Sequence, residues 1–164
     1  MAFQLNPSEL RVEKQRASAI LILSSGQSTG GCFFIGTGSA RHAGPERVGD
    51  VLNSEPGFFP FEVHDGDDVS TVLFNRRQVV MVVLAENEAS DDPGYDLATR
   101  RVVSVVLSNG QRQLGAVRIY RPAGRDRLSD WARQPETFRY LETTDATLII
   151  NMDHVIDVHE VPEP

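Results

Sequence analysis

Two short stretches, LSSGQ at residues 23–27 and LSNGQ at residues 107–111, decide the fold of this chain. Each follows an apolar, β-branched run and ends in a glycine turn. The sequence around them forms an internal repeat, in which residues 20–84 align with residues 103–158. Because a unit of about 60 residues buries little apolar surface by itself, the duplication predicts two units that pack against each other.

The match extends through both copies in the same order. It pairs AGPERVGD (43–50) with AGRDRLSD (123–130), Phe58 with Phe138, and NRRQVV (75–80) with NMDHVI (151–156). The first copy carries four extra residues near Gly38–Arg41 and four near Asp65–Asp68. We expect both insertions in loops, where the backbone faces solvent.

Each copy is predicted to run strand, strand, helix, strand, strand, strand. The glycine turns at Ser25-Gly26 and Asn109-Gly110 predict that the first two strands form an antiparallel hairpin. Apolar residues then recur at i, i+3 and i+4, which predicts a short helix with one apolar stripe. These residues are Val48, Val51 and Leu52 in the first copy, and Leu128, Trp131 and Ala132 in the second.

Single residues refine this prediction. We expect Trp131 to anchor the second core, and Asn75 and Asn151 to shape the corner before each last strand, in a left-handed or turn conformation. Pro45 is expected in the first turn of its helix, and Asp126 is expected to cap the second helix. Upstream, Asn6-Pro7-Ser8-Glu9 predicts a peripheral helix that ends near Gln15.

The predicted fold class is therefore mainly β (α+β), with two tandem copies of a strand-strand-helix-strand-strand-strand unit. They are expected to form a bent antiparallel sheet or small barrel and to be related by a pseudo-twofold axis. The predicted boundaries are an N-terminal helix or arm over 1–16, repeat 1 over 17–85, an acidic linker over 86–100, and repeat 2 with a short tail over 101–164. One barrel and two packed domains both remain open here.

Composition narrows the class of protein. Of the 164 residues, 40% are hydrophobic and 24% are charged, which is typical of a globular protein. The N-terminus lacks the pattern of a signal peptide, and no apolar run approaches the roughly 18 residues of a membrane span, so we expect a cytoplasmic protein without a membrane partner. Cys32 is the only cysteine, which excludes an internal disulfide, and we expect it to be a buried apolar residue.

The charge is unevenly distributed. The net charge is −7, yet 15 of the 16 basic residues are arginine, and seven of them lie between residues 112 and 139. A strand–helix corner of the second copy gathers five of these, which are the candidate binding residues: Arg118, Arg121, Arg125, Arg127 and Arg133. Asp126, Asp130 and Glu136 are close enough in sequence to pair with some of them, although exposed ion pairs of this kind usually contribute under about 1 kcal/mol.

No catalytic or metal-binding pattern is present in the sequence. The histidines His42, His64, His154 and His159 show no ligand spacing, and there is no paired Cys-x-x-Cys or nucleophile elbow. Gly36–Arg41 is glycine-rich but lacks the phosphate-loop lysine. We therefore expect no catalytic residue, no metal and no cofactor. Asp50 and Asp130, on corresponding helices, are expected to face water.

The second copy resembles a family of small bacterial β-rich domains of uncharacterised function. The shared pattern is V-x-L-x-N-G, R-L-S-D and N-x-x-x-I-x-x-V, met here by Val105–Gly110, Arg127–Asp130 and Asn151–Val158. The strand-rich plan is also similar to Sm-type small barrels, although the RNA-binding residues of that family do not map onto this chain. The resemblance implies a β-rich fold and carries no catalytic residues over to this chain.

The function predicted from the sequence is a non-enzymatic binding or assembly module that acts through contacts with a protein partner, and whether the chain also forms a homo-oligomer remains open. An anion or nucleic-acid binder that uses the arginine-rich corner is the first alternative. A small enzyme with a site between the repeats is the second. Salt-dependent oligonucleotide binding discriminates the first two, because phosphate contacts weaken with salt.

Overall fold

The computed structural model describes residues 14–38 and 44–162 and confirms the mainly β fold class. Repeat 1 contains β1 (Lys14–Leu23), β2 (Ser28–Gly36), α1 (Val48–Asn53), β3 (Phe58–Asp65), β4 (Asp68–Asn75) and β5 (Val79–Leu84). Repeat 2 contains β6 (Thr99–Leu107), β7 (Arg112–Ile119), α2 (Leu128–Ala132), β8 (Phe138–Glu142), β9 (Thr147–Asn151) and β10 (Val155–Glu160). Short 3₁₀ helices span Arg76–Gln78, Glu88–Asp91, Tyr95–Leu97 and Met152–His154. Among the described residues, no helix is long and apolar enough to cross a membrane.

The two repeats share their local hydrogen bonds as well as their element order. In both hairpins the residue before the turn donates its N–H across 2.9 Å to a glutamine carbonyl, Leu23 to Gln27 and Leu107 to Gln111. Gly26 and Gly110 hold the left-handed φ angles of 88° and 85° that the turns require. The predicted hairpins are therefore confirmed, with glycine alone in the left-handed region.

The strands form one open antiparallel sheet in the order β10-β6-β7-β8-β9-β5-β1-β2-β3-β4. Within each repeat the last strand lies beside the first, and the repeats meet where β5 pairs with β9. This joint replaces the pseudo-twofold relation that we predicted. A twofold axis would pair equivalent strands of the two repeats, or would pair β4 with β10 as well as β5 with β9. Here the non-equivalent strands β5 and β9 pair, and β4 and β10 lie at opposite ends of the sheet.

Several local predictions differ from the structure. The second insertion does not form a loop, because Asp65 and Asp68 are paired residues that lengthen the β3–β4 hairpin around Gly66. Pro45 lies before α1 rather than in its first turn, because Arg47 is the N-cap residue, and Arg127 rather than Asp126 is the N-cap residue of α2. Asp126 instead accepts hydrogen bonds from Thr99 Oγ1 and the Gly124 N–H.

Two further predictions lie wholly or partly outside the described residues. The first insertion is described only at Gly38, and His42 is not described. Most of the predicted N-terminal helix also lies outside this part of the chain, and its last predicted residues, Lys14 and Gln15, belong to β1. The predicted acidic linker contains two 3₁₀ helices and buries Ala89, so it is an ordered connection.

Two hydrophobic cores lie along the sheet. Phe33, Phe59 and Phe61 dominate the first, with ring centroids 5.4 Å and 5.1 Å from Phe33. Trp131, 2% exposed, joins Leu141 in the second core, which confirms the prediction that it is a core anchor, while Leu128 is only half-buried.

Buried arginines bind the C-terminal carbonyls of both short helices. Arg76 donates to the carbonyls of Val51 and Leu52 at 2.8 Å and 3.2 Å. Arg139 donates to the carbonyl of Trp131 and stacks over its indole ring. Burial lowers the pKa of both guanidiniums. The hydrogen bonds to the helix carbonyls offset the cost of burying these charges.

Gly31→Ala is expected to destabilise the protein strongly, whereas Gly30→Ala is not. A Cβ on Gly31 would lie 1.8 Å from the Glu62 carbonyl oxygen and would push β2 from β3, while a Cβ on Gly30 has no atom within 4 Å. Urea unfolding followed by Trp131 fluorescence should show a loss of about 3 kcal/mol or more for Gly31→Ala. The loss for Gly30→Ala should stay within about 0.5 kcal/mol. Equal losses for the two variants would contradict this close contact.

Candidate functional site

The joint between β5 and β9 is the best-defined contact surface in the described part of the chain. Its antiparallel register pairs Met81 with Ile150 and Val82 with Ile149. Side chains of β5 enter both cores, with Val82 in the first and Met81 in the second. Ile149 and Ile150 of β9 likewise divide between the two cores. The joint is therefore hydrophobic on both faces of the sheet.

Polar groups at one end of the joint fix its register. The Asn151 side-chain N–H donates to the Val79 carbonyl at 2.9 Å, and its Oδ1 accepts the Asp153 N–H at 3.0 Å. His154 Nε2 donates to the Arg77 carbonyl at 2.6 Å, while its Nδ1 lies 2.7 Å from Ser108 Oγ. Asn75 uses its Oδ1 in the same way as Asn151. The structural role predicted for both asparagines is confirmed, in turns with negative φ.

Helix α1 of repeat 1 packs on β8 of repeat 2 beside the joint. Tyr140 approaches Gly49 so closely that a Cβ there would lie 2.5 Å from the phenol oxygen. Tyr140 donates to Glu88 Oε2 at 2.5 Å, and Glu88 also accepts the Val48 and Gly49 N–H groups. Burial raises the pKa of Glu88 despite these hydrogen bonds, and burial followed by the Glu88 charge raises the pKa of Tyr140. These atoms thus hold the helix to the neighbouring repeat.

A second polar cluster lies under the segment that connects the repeats. Tyr95 donates to Glu142 Oε2 at 2.5 Å, and Arg118 Nε faces Glu142 Oε1 at 3.5 Å. The hydrogen bond to Glu142 raises the pKa of Tyr95, and burial raises the pKa of Tyr120 to about 12. A cavity of about 330 Å³ is lined by Arg118, Tyr120 and Glu142. Since Tyr95, Arg118 and Glu142 bind one another, these three side chains favour stabilisation over acid–base chemistry.

The structure separates Arg118 from the other four arginines of the predicted binding site. Arg118 turns to the connecting segment, with its guanidinium 4.1 Å from the Tyr95 ring centre, and its side chain is 21% exposed. The other four predicted residues, Arg121, Arg125, Arg127 and Arg133, are exposed. Two acids expected to pair with these guanidiniums bind other groups: Asp126 accepts from Thr99 Oγ1 and lies 3.9 Å from the Arg101 guanidinium, and Asp130 accepts the backbone N–H of Arg127. An exposed positive corner therefore remains, without Arg118.

Other residues singled out from the sequence have structural partners. Asp50 accepts the Arg47 N–H at 2.9 Å, as Asp130 does for Arg127, so both cap their own helices and are half-buried rather than solvent-facing. Cys32 is buried as predicted. Glu88 and Glu142 were not identified from the sequence, because their partners are distant in sequence: Glu88 contacts α1 and Tyr140, and Glu142 contacts Tyr95 and Arg118.

Within residues 14–38 and 44–162, no strand pairs with the outer side of β4 or β10, and these two free edges expose the counterparts of the buried joint residues. Asn75 and Asn151 precede matching 3₁₀ helices, so Leu73 corresponds to Ile149, and Ile156 corresponds to Val80. Leu73 and Ile156 are 64% and 65% exposed, whereas Ile149 and Val80 are fully buried. Phe58 on β3, 59% exposed, likewise corresponds to Phe138 on β8, which is 5% exposed. Surfaces that pack together inside the chain are thus open at both ends.

Comparisons with protein families, with curated proteins and with solved structures find no match to this chain.

Glu88→Gln is expected to reduce the pH dependence of stability. Because the folded-state pKa of Glu88 is raised above 4.5, the folded protein holds a proton that the unfolded chain releases. The Glu88 contribution therefore weakens as the pH rises through and above 4.5. Urea unfolding across this range should show the free energy of Glu88→Gln moving upward relative to the parent. Exposed Glu86→Gln is the control and should follow the parent, whereas parallel curves for Glu88→Gln would contradict the buried carboxyl.

Proposed function

We propose that this protein is an assembly module whose two free sheet edges join identical chains head to tail. The observation that carries the proposal is the exposure of Phe58, Leu73 and Ile156 at positions whose counterparts are buried in the internal joint. Large apolar residues grouped on a sheet edge are typical of a contact surface, since unpaired backbone groups and apolar side chains there favour strand addition.

The internal joint supplies a register for the contact between chains. Copied onto β10 of one chain and β4 of the next, the observed pairs Val82–Ile149 and Val83–Leu148 become Val158–Leu73 and His159–Val72. The contact remains antiparallel. Because it joins unlike edges, it leaves one free edge of each type after every addition, so it generates a closed ring or an open filament.

The free edges differ from the joint in polarity. Asp157 and His159 stand where β5 has Met81 and Val83, and their side chains lie 4.0 Å apart. Charged residues on an edge strand weaken strand addition. The contact between chains is therefore expected to be weaker than the internal joint and to depend on protein concentration. The contact between chains also allows the helix of one chain to pack on the strand of the next. Ser129 stands there in place of Gly49, and Pro60 stands in place of Tyr140. Because the phenol oxygen is absent, no glycine is needed on the helix.

Charge placed on either edge is expected to abolish assembly. Leu73→Glu and Ile156→Glu each introduce a carboxylate that the contact would bury without a partner. Sedimentation velocity at rising concentration should show the parent in multiples of 18.1 kDa and both variants as monomers. Leu97→Glu is the control, because Leu97 is 91% exposed and belongs to the connecting segment rather than to β4 or β10. It should assemble like the parent.

A mixture of the two edge variants tests the head-to-tail geometry. Leu73→Glu retains an intact β10, and Ile156→Glu retains an intact β4, so the mixture should form dimers that stop at two chains. Contact between equivalent edges would give no such rescue, because each variant alone would then keep one working interface. A parent that stays monomeric at every concentration would contradict the proposal.

The exposed arginines support a second candidate function, the binding of an anionic partner through Arg121, Arg125, Arg127 and Arg133. Their exposure, and the engagement of Asp126 and Asp130 elsewhere, favour it. A fluorescent oligonucleotide should then bind with an affinity that falls as salt rises, and an Arg125→Glu, Arg127→Glu double variant should lose that binding. Arg77→Glu, outside this corner, is the control. Unchanged binding by the double variant would identify these arginines as solvated surface.

A further inference from the structure

We propose that Cys32, Glu62 and His64 bind a divalent ion of the zinc class on the outer face of repeat 1. The β2–β3 ladder places Cys32 directly opposite Glu62. His64 lies two residues beyond Glu62 on the same strand and therefore on the same face. One ligand atom from each residue lies within 4.8 Å of the other two. Such a group has the spacing to surround one ion after small side-chain rotations.

The chemistry of the three side chains selects the ion. A thiolate, an imidazole and a carboxylate are all zinc ligands, whereas magnesium and calcium prefer sites made of oxygen alone. Three protein ligands leave a fourth position of the tetrahedron for water. The thiolate and the carboxylate together balance the two charges of the ion, so the bound cluster is close to neutral.

Neighbouring side chains already orient the ligands. Arg16 Nε donates to Glu62 Oε2 at 3.1 Å, while Glu62 Oε1 lies 2.8 Å from His64 Nε2. An ion would replace the proton between Oε1 and the ring nitrogen, and Arg16 would continue to hold the other carboxylate oxygen. Outer groups of this kind fix ligand orientation in metal sites. Ser18 Oγ, 3.7 Å from Cys32 Sγ, is a second group of this type.

Repeat 2 provides the matched comparison within the same chain. Glu142 corresponds to Glu62, but Ala116 and Thr144 stand at the positions of Cys32 and His64. The fold therefore accepts alanine and threonine at these positions. The ligand set is present in repeat 1 alone, on β2 and on β3, where Glu62 and His64 are paired with Thr71 and Val69 of the edge strand β4.

Titration of the reduced full-length protein with Co²⁺ and Zn²⁺ tests this site. One equivalent of Co²⁺ should give the near-ultraviolet charge-transfer band of a cobalt–thiolate bond, and Zn²⁺ should displace it. Binding should release a proton, because the thiol must be deprotonated. Zn²⁺ should also raise the thermal unfolding midpoint, since the ligands come together only in the folded state.

Cys32→Ala and His64→Thr, which copy repeat 2, are the test variants, and far-ultraviolet circular dichroism verifies their folding. Cys32→Ala should abolish the cobalt–thiolate band. Arg16→Met removes a supporting group and should lower Zn²⁺ affinity by roughly 10–100-fold. His64→Thr removes a ligand and should lower Zn²⁺ affinity further than Arg16→Met does. Asp145→Asn, an exposed acid in the turn between β8 and β9 of repeat 2, is the control and should bind like the parent. Absence of the band in the parent, or Zn²⁺ affinity unchanged in both test variants, would overturn the site.

Discussion

The pairing of β5 with β9 is the contact on which the rest of the structure depends, because each strand contributes side chains to two cores. Val82 packs into the first core and Met81 into the second, and Ile149 and Ile150 divide in the same way. Neither repeat can complete its core without the other strand. The joint thus explains how two units, each too small to bury much apolar surface, form one continuous sheet.

The pairing of β5 with β9 also explains the residues exposed at the free edges of β4 and β10. Duplication produced two copies of each edge, but only one of each is used inside the chain. The unused copies keep large apolar residues, Leu73 and Ile156, at positions that are buried in the joint. On β10, Asp157 and His159 stand where β5 has Met81 and Val83, and charged residues on an edge strand weaken strand addition. An edge that is both apolar and charged is suited to a reversible contact between identical chains.

Local features were predictable from the sequence, whereas relations between distant strands were not. The glycine turns at Gly26 and Gly110 and the burial of Trp131 follow from turn geometry and helical spacing. The head-to-tail joint does not, since the apolar run of β5 is compatible with several neighbours. The arginine corner was only partly predictable, because the connecting segment that draws Arg118 aside has no periodic pattern. Cys32 and His64 lie far apart in sequence and meet only through the register of β2 and β3.

The most direct test of the head-to-tail account is intermolecular disulfide formation between Val72→Cys and His159→Cys chains. Both residues are exposed in the single chain, and the copied register places them directly opposite each other, within the roughly 4.4–6.8 Å between Cα atoms that a disulfide spans. Mild oxidation of the mixture should give a covalent dimer that contains one chain of each variant, and neither variant alone should give it. A mixture that yields no heterodimer, or as much dimer from each variant alone, would contradict the account.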